Sequence, residues 1–164
     1  MTIQLWQKMI ACAVTTAALS VAAPAMAADT SAADTQEVRA LFLRQAAGAT
    51  AHDINEMDAV FAHTPPGQPD PVSFVARAYR YWSREAVMAH FRRTFEGTWR
   101  FEPDEAAIRV TLIGKDTAQI YAPTRVTVGP AGQPATTAQF HMTEFAIRTP
   151  EGWRIASIVA VPAQ

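Results

Sequence analysis

Residues 139–161, QFHMTEFAIRTPEGWRIASIVAV, decide the fold, because two strand-like runs flank a short turn sequence. Pro150 suits the second position of a type I turn, and Gly152 can take the left-handed angles that close such a turn with a bulge. A turn that places Thr149 opposite Trp153 sets the register of a β-hairpin. The further pairs are then Ile147 with Ile155, Phe145 with Ser157, Thr143 with Val159, and His141 with Val161.

This register sorts the side chains of the hairpin onto two faces. The face that carries Phe145 and Ile147 is almost wholly apolar, whereas Glu144, Arg148 and Arg154 lie on the other face. An apolar face must be covered by other elements of the fold. We therefore expect the upstream helices to pack on the Phe145 face and the Glu144 side chain to point outward.

Three helices are predicted upstream of the sheet. A capping box of Asp34 and Glu37 starts the first, and Asp53 with Glu56 repeats that signal for the second. Ser83 is a favourable N-cap for the third helix. Apolar residues at helical spacing follow each cap, so each helix has one face to bury.

From Thr98 onward the apolar period becomes that of β-strands. The pattern predicts strands over 98–102, 107–113 and 117–128, after a shorter one over 72–76. Helices followed by antiparallel strands predict an α+β domain, with three N-terminal helices packed against a curved sheet. The predicted core contains Phe42, Phe61, Val87, Phe91, Phe95, Phe145, Trp153 and Ile155.

The N-terminus has the pattern of a secretory signal peptide. Lys8 precedes an apolar run over 9–23, and Ala25-Met26-Ala27 is a small-residue cleavage site. The run is shorter than the roughly 20 residues of a membrane-spanning helix. The predicted division of the chain is a cleaved signal peptide at 1–27, a flexible leader at 28–33 and a single domain at 34–164.

Composition narrows the class of the mature protein, which we expect to be periplasmic or extracellular. Removing 27 of the 164 residues leaves 137 and removes Cys12, the single cysteine, so disulfides are excluded. The net charge is near neutral, and no basic stripe predicts nucleic-acid binding. No second apolar run predicts a membrane span, and no histidine or cysteine spacing predicts a metal site or a cofactor.

Three short motifs occur in a characteristic order: DINEMDAVF at 53–61, WSREAV at 82–87 and GWRI at 152–155. Together they resemble the SnoaL-like branch of the nuclear transport factor 2-like superfamily, over residues 35–162. The resemblance implies a cone, in which a strongly bent mixed sheet wraps around three helices and leaves a pocket at the open end. The superfamily includes isomerases, dehydratases, cyclases, epoxide hydrolases and proteins without catalysis, so the resemblance does not specify a reaction.

The chain departs from a frequent pattern of this branch. Many members carry histidines after the Trp-Arg-Ile motif, and this chain has Ser157 and Val159 there. The departure removes the best candidates for acid–base catalysis and favours a protein that binds without catalysis.

His141 and Tyr121 are the candidate catalytic residues. His141 lies on the predicted inward face, where an imidazole could act as a general base or bind an anion. Tyr121 could donate a hydrogen bond to developing charge. The simpler alternative for His141 is a hydrogen-bonded histidine at the rim of the cone.

Aromatic and polar side chains near the expected mouth predict a small-molecule pocket. The candidate ligand-binding residues are Trp82, His90, Trp99, Tyr121, His141 and Ser157. The favoured function is an exported protein that holds a small apolar or amphipathic molecule. The alternatives are a small-molecule isomerase, dehydratase or hydrolase that uses His141, and a dimeric interaction domain that binds no ligand.

A homodimer is expected through the outer face of the sheet. The residues that support it are Phe140, Met142 and Ile158, which the predicted register places outside. An apolar patch of this kind is usually covered by a partner.

Overall fold

A computed structural model describes residues 23–77 and 79–164, with side chains from residue 30 onward, so residues 1–22 of the predicted signal peptide lie outside it. The helices are α1 (Ala23–Ala51), α2 (Ile54–Val60) and α3 (Arg84–Thr94), with a short 3₁₀ helix at Glu105–Ala107. The strands are β1 (Ser73–Ala76), β2 (Tyr79–Trp82), β3 (Thr98–Pro103), β4 (Arg109–Leu112), β5 (Thr117–Gly129), β6 (Thr136–Thr149) and β7 (Gly152–Pro162).

The strands form one mixed sheet in the order β2-β1-β7-β6-β5-β3, and β4 pairs with β5 beside β3. Strands β1 and β7 are parallel, and the other pairs are antiparallel. Helix α1 packs against β3, β4, β5 and β7 on the inner face, and α2 and α3 extend that layer. The sheet is curved and unclosed, so the predicted α+β cone is confirmed.

Two of the three predicted helix caps are confirmed. The Asp53 carboxylate accepts hydrogen bonds from the backbone N–H groups of Asn55 and Glu56 at 3.0 Å, and the Ser83 hydroxyl accepts one from Ala86 at 3.2 Å. These bonds satisfy amides that have no partner inside the helix.

The Asp34 cap is wrong, because α1 begins at Ala23 and includes residues 28–33, which the sequence predicted as a loose leader. Asp34 instead accepts a hydrogen bond from the Trp153 indole N–H at 3.4 Å and forms an ion pair with Arg148 at 2.5 Å. The carboxylate therefore ties α1 to the closing hairpin.

The register of the closing hairpin is confirmed in its far half and wrong next to the turn. Phe145 faces Ser157, and the pairs continue through His141 and Val161 as predicted. Next to the turn, Thr149 faces Gly152 instead of Trp153, because the loop has two residues and not three. A β-bulge between the pairs of Phe145 and Ala146 absorbs the one-residue difference.

This bulge places Ala156 as an extra residue in β7 and reverses the face of the β7 residues beyond it, whereas the buried residues of β6 alternate without interruption. Trp153 and Ile155 are buried, as predicted, but after Ala156 the buried positions of β7 are Ile158 and Ala160. A one-residue shift exchanges the two faces of a strand, since side chains alternate with a period of two. Ser157, Val159 and their partners on β6 therefore lie on the outer face.

The bulge has a structural cause in the segment that follows α2. The backbone N–H of Ala62 donates to the carbonyl of Ile155 at 2.9 Å, and Phe61 forms a parallel bridge with Ile155. Beyond the bulge, β7 pairs with β1 instead. Strand β7 thus changes its neighbour on one side at the residue where its face changes.

Most of the predicted core is confirmed, with Phe145 the exception. Phe42, Phe61, Val87, Phe91, Trp153 and Ile155 are all at most 3% exposed. Phe95 is partly buried and packs against this cluster. Phe145 is half-buried on the outer face, because the two-residue turn places Ala146 opposite the buried Ile155 and so turns the odd-numbered residues of β6 outward.

Candidate functional site

A cavity of about 440 Å³ lies between the helices and the inner face of the sheet. Its walls come from α1, α2 and α3, from β1 to β3 and from β5 to β7. The apolar lining includes Met57, Phe74, Phe91, Phe101, Met142 and Ile158. This volume and this lining are typical of small-molecule sites, which measure roughly 300–1,000 Å³.

One wall of the cavity is a stack of aromatic rings around His90. The imidazole lies 4.7 Å from the Tyr81 ring and 5.2 Å from the Phe74 ring, both in stacked geometry. Trp99 meets Phe91 edge-on at 6.2 Å. Burial, with a contribution from the Arg93 charge, lowers the pKa of His90 to about 4, so this imidazole is neutral at pH 7.

Two buried polar atoms of the cavity wall have no hydrogen-bond partner among the described residues. They are the side-chain oxygen of Gln45 and the indole N–H of Trp99. Gln45 lies on α1 and is only 3% exposed. Buried polar groups without partners cost about 1–3 kcal/mol each, so the two atoms are the unsatisfied polar groups of the cavity wall.

A carboxyl group lies just behind this wall. Glu144 is fully buried, and the residues next to it, Met142 on its own strand and Ile158 opposite, both line the cavity. Neither of its oxygens has a hydrogen-bond partner of good geometry in the described chain. Burial raises the pKa of Glu144 to about 8, although the nearby Gln45 amide lowers it in part, so the group is protonated at neutral pH. The prediction that Glu144 points outward is wrong.

Only some of the predicted ligand-binding residues line the cavity. His90 and Trp99 do. Trp82 does not, since it lies at the end of β2 with 70% of its surface exposed. Ser157 lies on the outer face, where its hydroxyl accepts a hydrogen bond from the Ser73 hydroxyl at 2.9 Å.

His141 and Tyr121 lie together on the outer face of the sheet. The tyrosine hydroxyl is 2.9 Å from Nδ1 of the histidine, and the rings stack at 6.0 Å. His141 is exposed, and Tyr121 borders a shallow outer groove. The expected inward position of His141 is wrong, because the two-residue turn pairs Ala146, and not Ile147, with the buried Ile155, so the even-numbered residues of β6 face inward. Phe140 and Met142, which were expected on the outer face, line the inner cavity for the same reason, and Ile158 lines it because of the bulge in β7.

Some polar residues that line the cavity are not among those that the sequence predicted for a binding site. Gln45 lies one position before Ala46 on the predicted buried stripe of the first helix, and that position was the available signal. Arg77 and Arg93 also line the cavity, one in the β1–β2 turn and one near the end of α3. Their positions follow from the cone geometry, which no local pattern contains.

The part of the chain that the structure describes contains no group of three or more His, Cys, Asp or Glu side chains placed to hold a metal ion. Among the helices of residues 23–164, none is long and apolar enough to cross a membrane.

Solved structures define the class of this fold. A proposed dehydratase of the nuclear transport factor 2-like family from Streptomyces avermitilis has a TM-score of 0.69 at 18% identity, covering 80% of this chain and 97% of that one. A nuclear transport factor 2-like protein with a cystatin-like fold from Novosphingobium aromaticivorans has a TM-score of 0.67 at 16% identity, covering 89% and 92%. A proposed scytalone dehydratase from the same organism has a TM-score of 0.70 at 8% identity, covering 84% and 89%.

The sequence identifies the family within this class. Residues 38–162 match the SnoaL-like domain family, so the chain belongs to it, and the resemblance of the sequence motifs is confirmed. No curated protein matches the chain.

Proposed function

We propose that this protein binds a small, largely apolar molecule in the cavity of the cone. The observation that carries the proposal is the apolar cavity of about 440 Å³, whose wall includes Gln45 and Trp99. The aromatic wall would hold the apolar body of a ligand, and a small shift of either polar side chain would let its unpartnered atom, Gln45 Oε1 or Trp99 Nε1, bond to a polar group of the ligand.

The test compares two tryptophan substitutions on neighbouring residues of β6. Ala138 lines the cavity, whereas Thr137 is exposed on the opposite face of the strand. Native mass spectrometry of the purified protein asks whether a molecule co-purifies, and titration with fluorescent phenylnaphthylamine measures binding by the emptied protein. We expect Ala138→Trp to abolish binding of the probe and Thr137→Trp to leave it unchanged. Equal binding by both variants would contradict a site in the cavity.

A second candidate function is acid–base catalysis on the bound molecule. The observation that favours it is the neutral Glu144 carboxyl next to the cavity, because a group that is protonated at pH 7 can act as a general acid. His141 is exposed on the outer face and is the weaker candidate. Two of the similar structures are proposed dehydratases, so dehydration of small hydroxy-carbonyl compounds is the reaction to assay by mass spectrometry. Turnover lost in Glu144→Gln and kept in His141→Ala would support catalysis in the cavity.

We also propose that the protein is a homodimer through the outer face of the sheet. Val75, Phe145, Val159 and Val161 form a partly exposed apolar patch at the centre of that face. A second copy would remove the patch from water. Light scattering at micromolar concentration should give twice the mass of one chain, and Val159→Asp should halve it. Gln133→Asp, in the exposed β5–β6 turn, is the control.

Export is proposed from the sequence pattern at the N-terminus. Lys8, the apolar run and the Ala25-Met26-Ala27 site support cleavage before Ala28. Mass spectrometry of the protein from the periplasm or medium should find Ala28 as the first residue, and an intact Met1 there would contradict cleavage.

A further inference from the structure

The charged side chains around the cavity are all of one sign. Among the described residues that line it, Arg77 and Arg93 carry positive charge, and none is an aspartate or glutamate. Both arginines are exposed, whereas Gln45 in the same wall is buried. The two cations therefore lie where the wall of the cavity meets solvent, and the rest of the lining is mostly apolar.

Neither arginine has an acidic partner in the described part of the chain. The ion pairs there involve Arg44, Arg84, Arg100, Lys115, Arg125 and Arg148, and none involves Arg77 or Arg93. Two unpaired cations beside an apolar opening raise the local concentration of anions.

Both charges lie close to residues that line the cavity. The Arg77 guanidinium lies 5.5 Å above the centre of the Phe140 ring, which lines the cavity. The positive charge of Arg93 contributes to the lowered pKa of His90, in the aromatic wall. With a neutral imidazole between aromatic rings, the wall itself supplies no further charge.

We propose that the ligand is an amphipathic monoanion, with an apolar body inside the cone and one carboxylate or sulfonate at the mouth against Arg77 and Arg93. This inference rests on the proposed function and adds the chemical class of the ligand. Guanidinium groups suit these anions because their N–H groups match two oxygens at once. The ligand should carry only one charged end, and that end should stay outside the apolar interior, since burying an unpaired charge there is costly.

The experiment uses two fluorescent probes that differ by one charge. Anilinonaphthalene sulfonate is phenylnaphthylamine with an added sulfonate group, so the pair separates charge from shape. The variants are Arg77→Gln, Arg93→Gln and the double substitution. Arg80→Gln and Arg92→Gln are matched controls, because both are exposed arginines near the first two and neither lines the cavity.

We expect each single variant to bind the sulfonate probe about fivefold more weakly and the double variant more than tenfold, the scale of exposed ion pairs. Binding of the neutral probe should weaken much less than binding of the sulfonate probe in all variants, and both controls should match the wild type. Raising the salt concentration should weaken binding of the sulfonate probe only.

The outcomes separate this inference from the proposed function. Sulfonate binding that is unchanged in the double variant, or a loss that is equal for both probes, would overturn the monoanion while leaving a cavity that binds. Failure of both probes to bind the wild type would overturn the proposed function, and the monoanion with it. Thermal melting of each variant checks that the fold is intact.

Discussion

The two faces of the sheet give nearby residues of one strand opposite environments. On β6, Glu144 points inward and is fully buried, whereas His141, three residues earlier, points outward and is exposed. The carboxyl is protonated at neutral pH because burial disfavours its charge, while the imidazole contacts Tyr121 and solvent. The face that a residue occupies thus decides which chemistry it can do, and on β6 the turn of the hairpin decides the face.

The largest effect should come from the inner face next to the turn. Trp153 is 1% exposed and holds α1 through its contact with Asp34. Trp153→Ala should lower the free energy of unfolding by about 3–5 kcal/mol, because the cavity it leaves cannot close. Trp82→Ala is the matched control, since that ring is 70% exposed and should change stability little. Denaturant unfolding of both variants measures the difference, and equal stability would contradict the inner position.

The second prediction concerns the dependence of stability on pH. The pKa of Glu144 rises from 4.5 to about 8 on folding, so the folded state binds the proton more tightly than the unfolded state. Stability from this group is therefore highest below pH 4.5 and falls as the pH rises toward 8. Glu144→Gln should remove that slope and raise the unfolding free energy at pH 7 by on the order of 3 kcal/mol.

Glu102 provides a control, because folding shifts its pKa in the opposite direction from that of Glu144. It is a partly exposed carboxyl whose pKa is lowered, first by its hydrogen bond with Arg125. Its contribution to stability is present above its pKa in the unfolded state and is lost as the pH falls. Glu102→Gln should therefore leave the slope of stability against pH unchanged between pH 4.5 and 8. Chemical unfolding at several pH values compares the two variants. An unchanged slope in Glu144→Gln would show that this carboxyl is ionised in the fold.

Local patterns predicted the elements and the class of fold. Side-chain caps at Asp53 and Ser83 and the apolar periods placed two helices, and the strands 72–76, 98–102, 107–113 and 117–128 agree with the structure within two residues. Strand β2 was missed because it is four residues of mostly exposed aromatic and basic side chains. These features depend on neighbours in sequence, which a single chain displays.

The candidate site was mostly misplaced through the register of the closing hairpin. The two-residue turn sets the faces of β6, which turns His141 outward. On β7, the carbonyl of Ile155 bonds to Ala62, some 90 residues earlier, and the bulge there turns Ser157 outward. A tertiary contact of this kind leaves little trace in the hairpin itself. The larger apolar residues of β6, Phe145 and Ile147, favoured the wrong face, since the inner positions hold Ala146 and Glu144. His90 and Trp99 were found because they lie on elements that the register of the hairpin does not affect.

The smallest effects should separate the histidines of the two faces. His90 stacks in the cavity wall, so His90→Ala should weaken binding of phenylnaphthylamine by about twofold to tenfold, the scale of one aromatic contact. His141→Ala removes an exposed ring, so it should change the unfolding free energy by less than about 0.5 kcal/mol and leave probe binding unchanged. Fluorescence titration and thermal melting of both variants test this contrast. A loss of binding in His141→Ala, with the fold intact, would move the functional site to the outer face, where Tyr121 and His141 would regain the role that the sequence predicted for them.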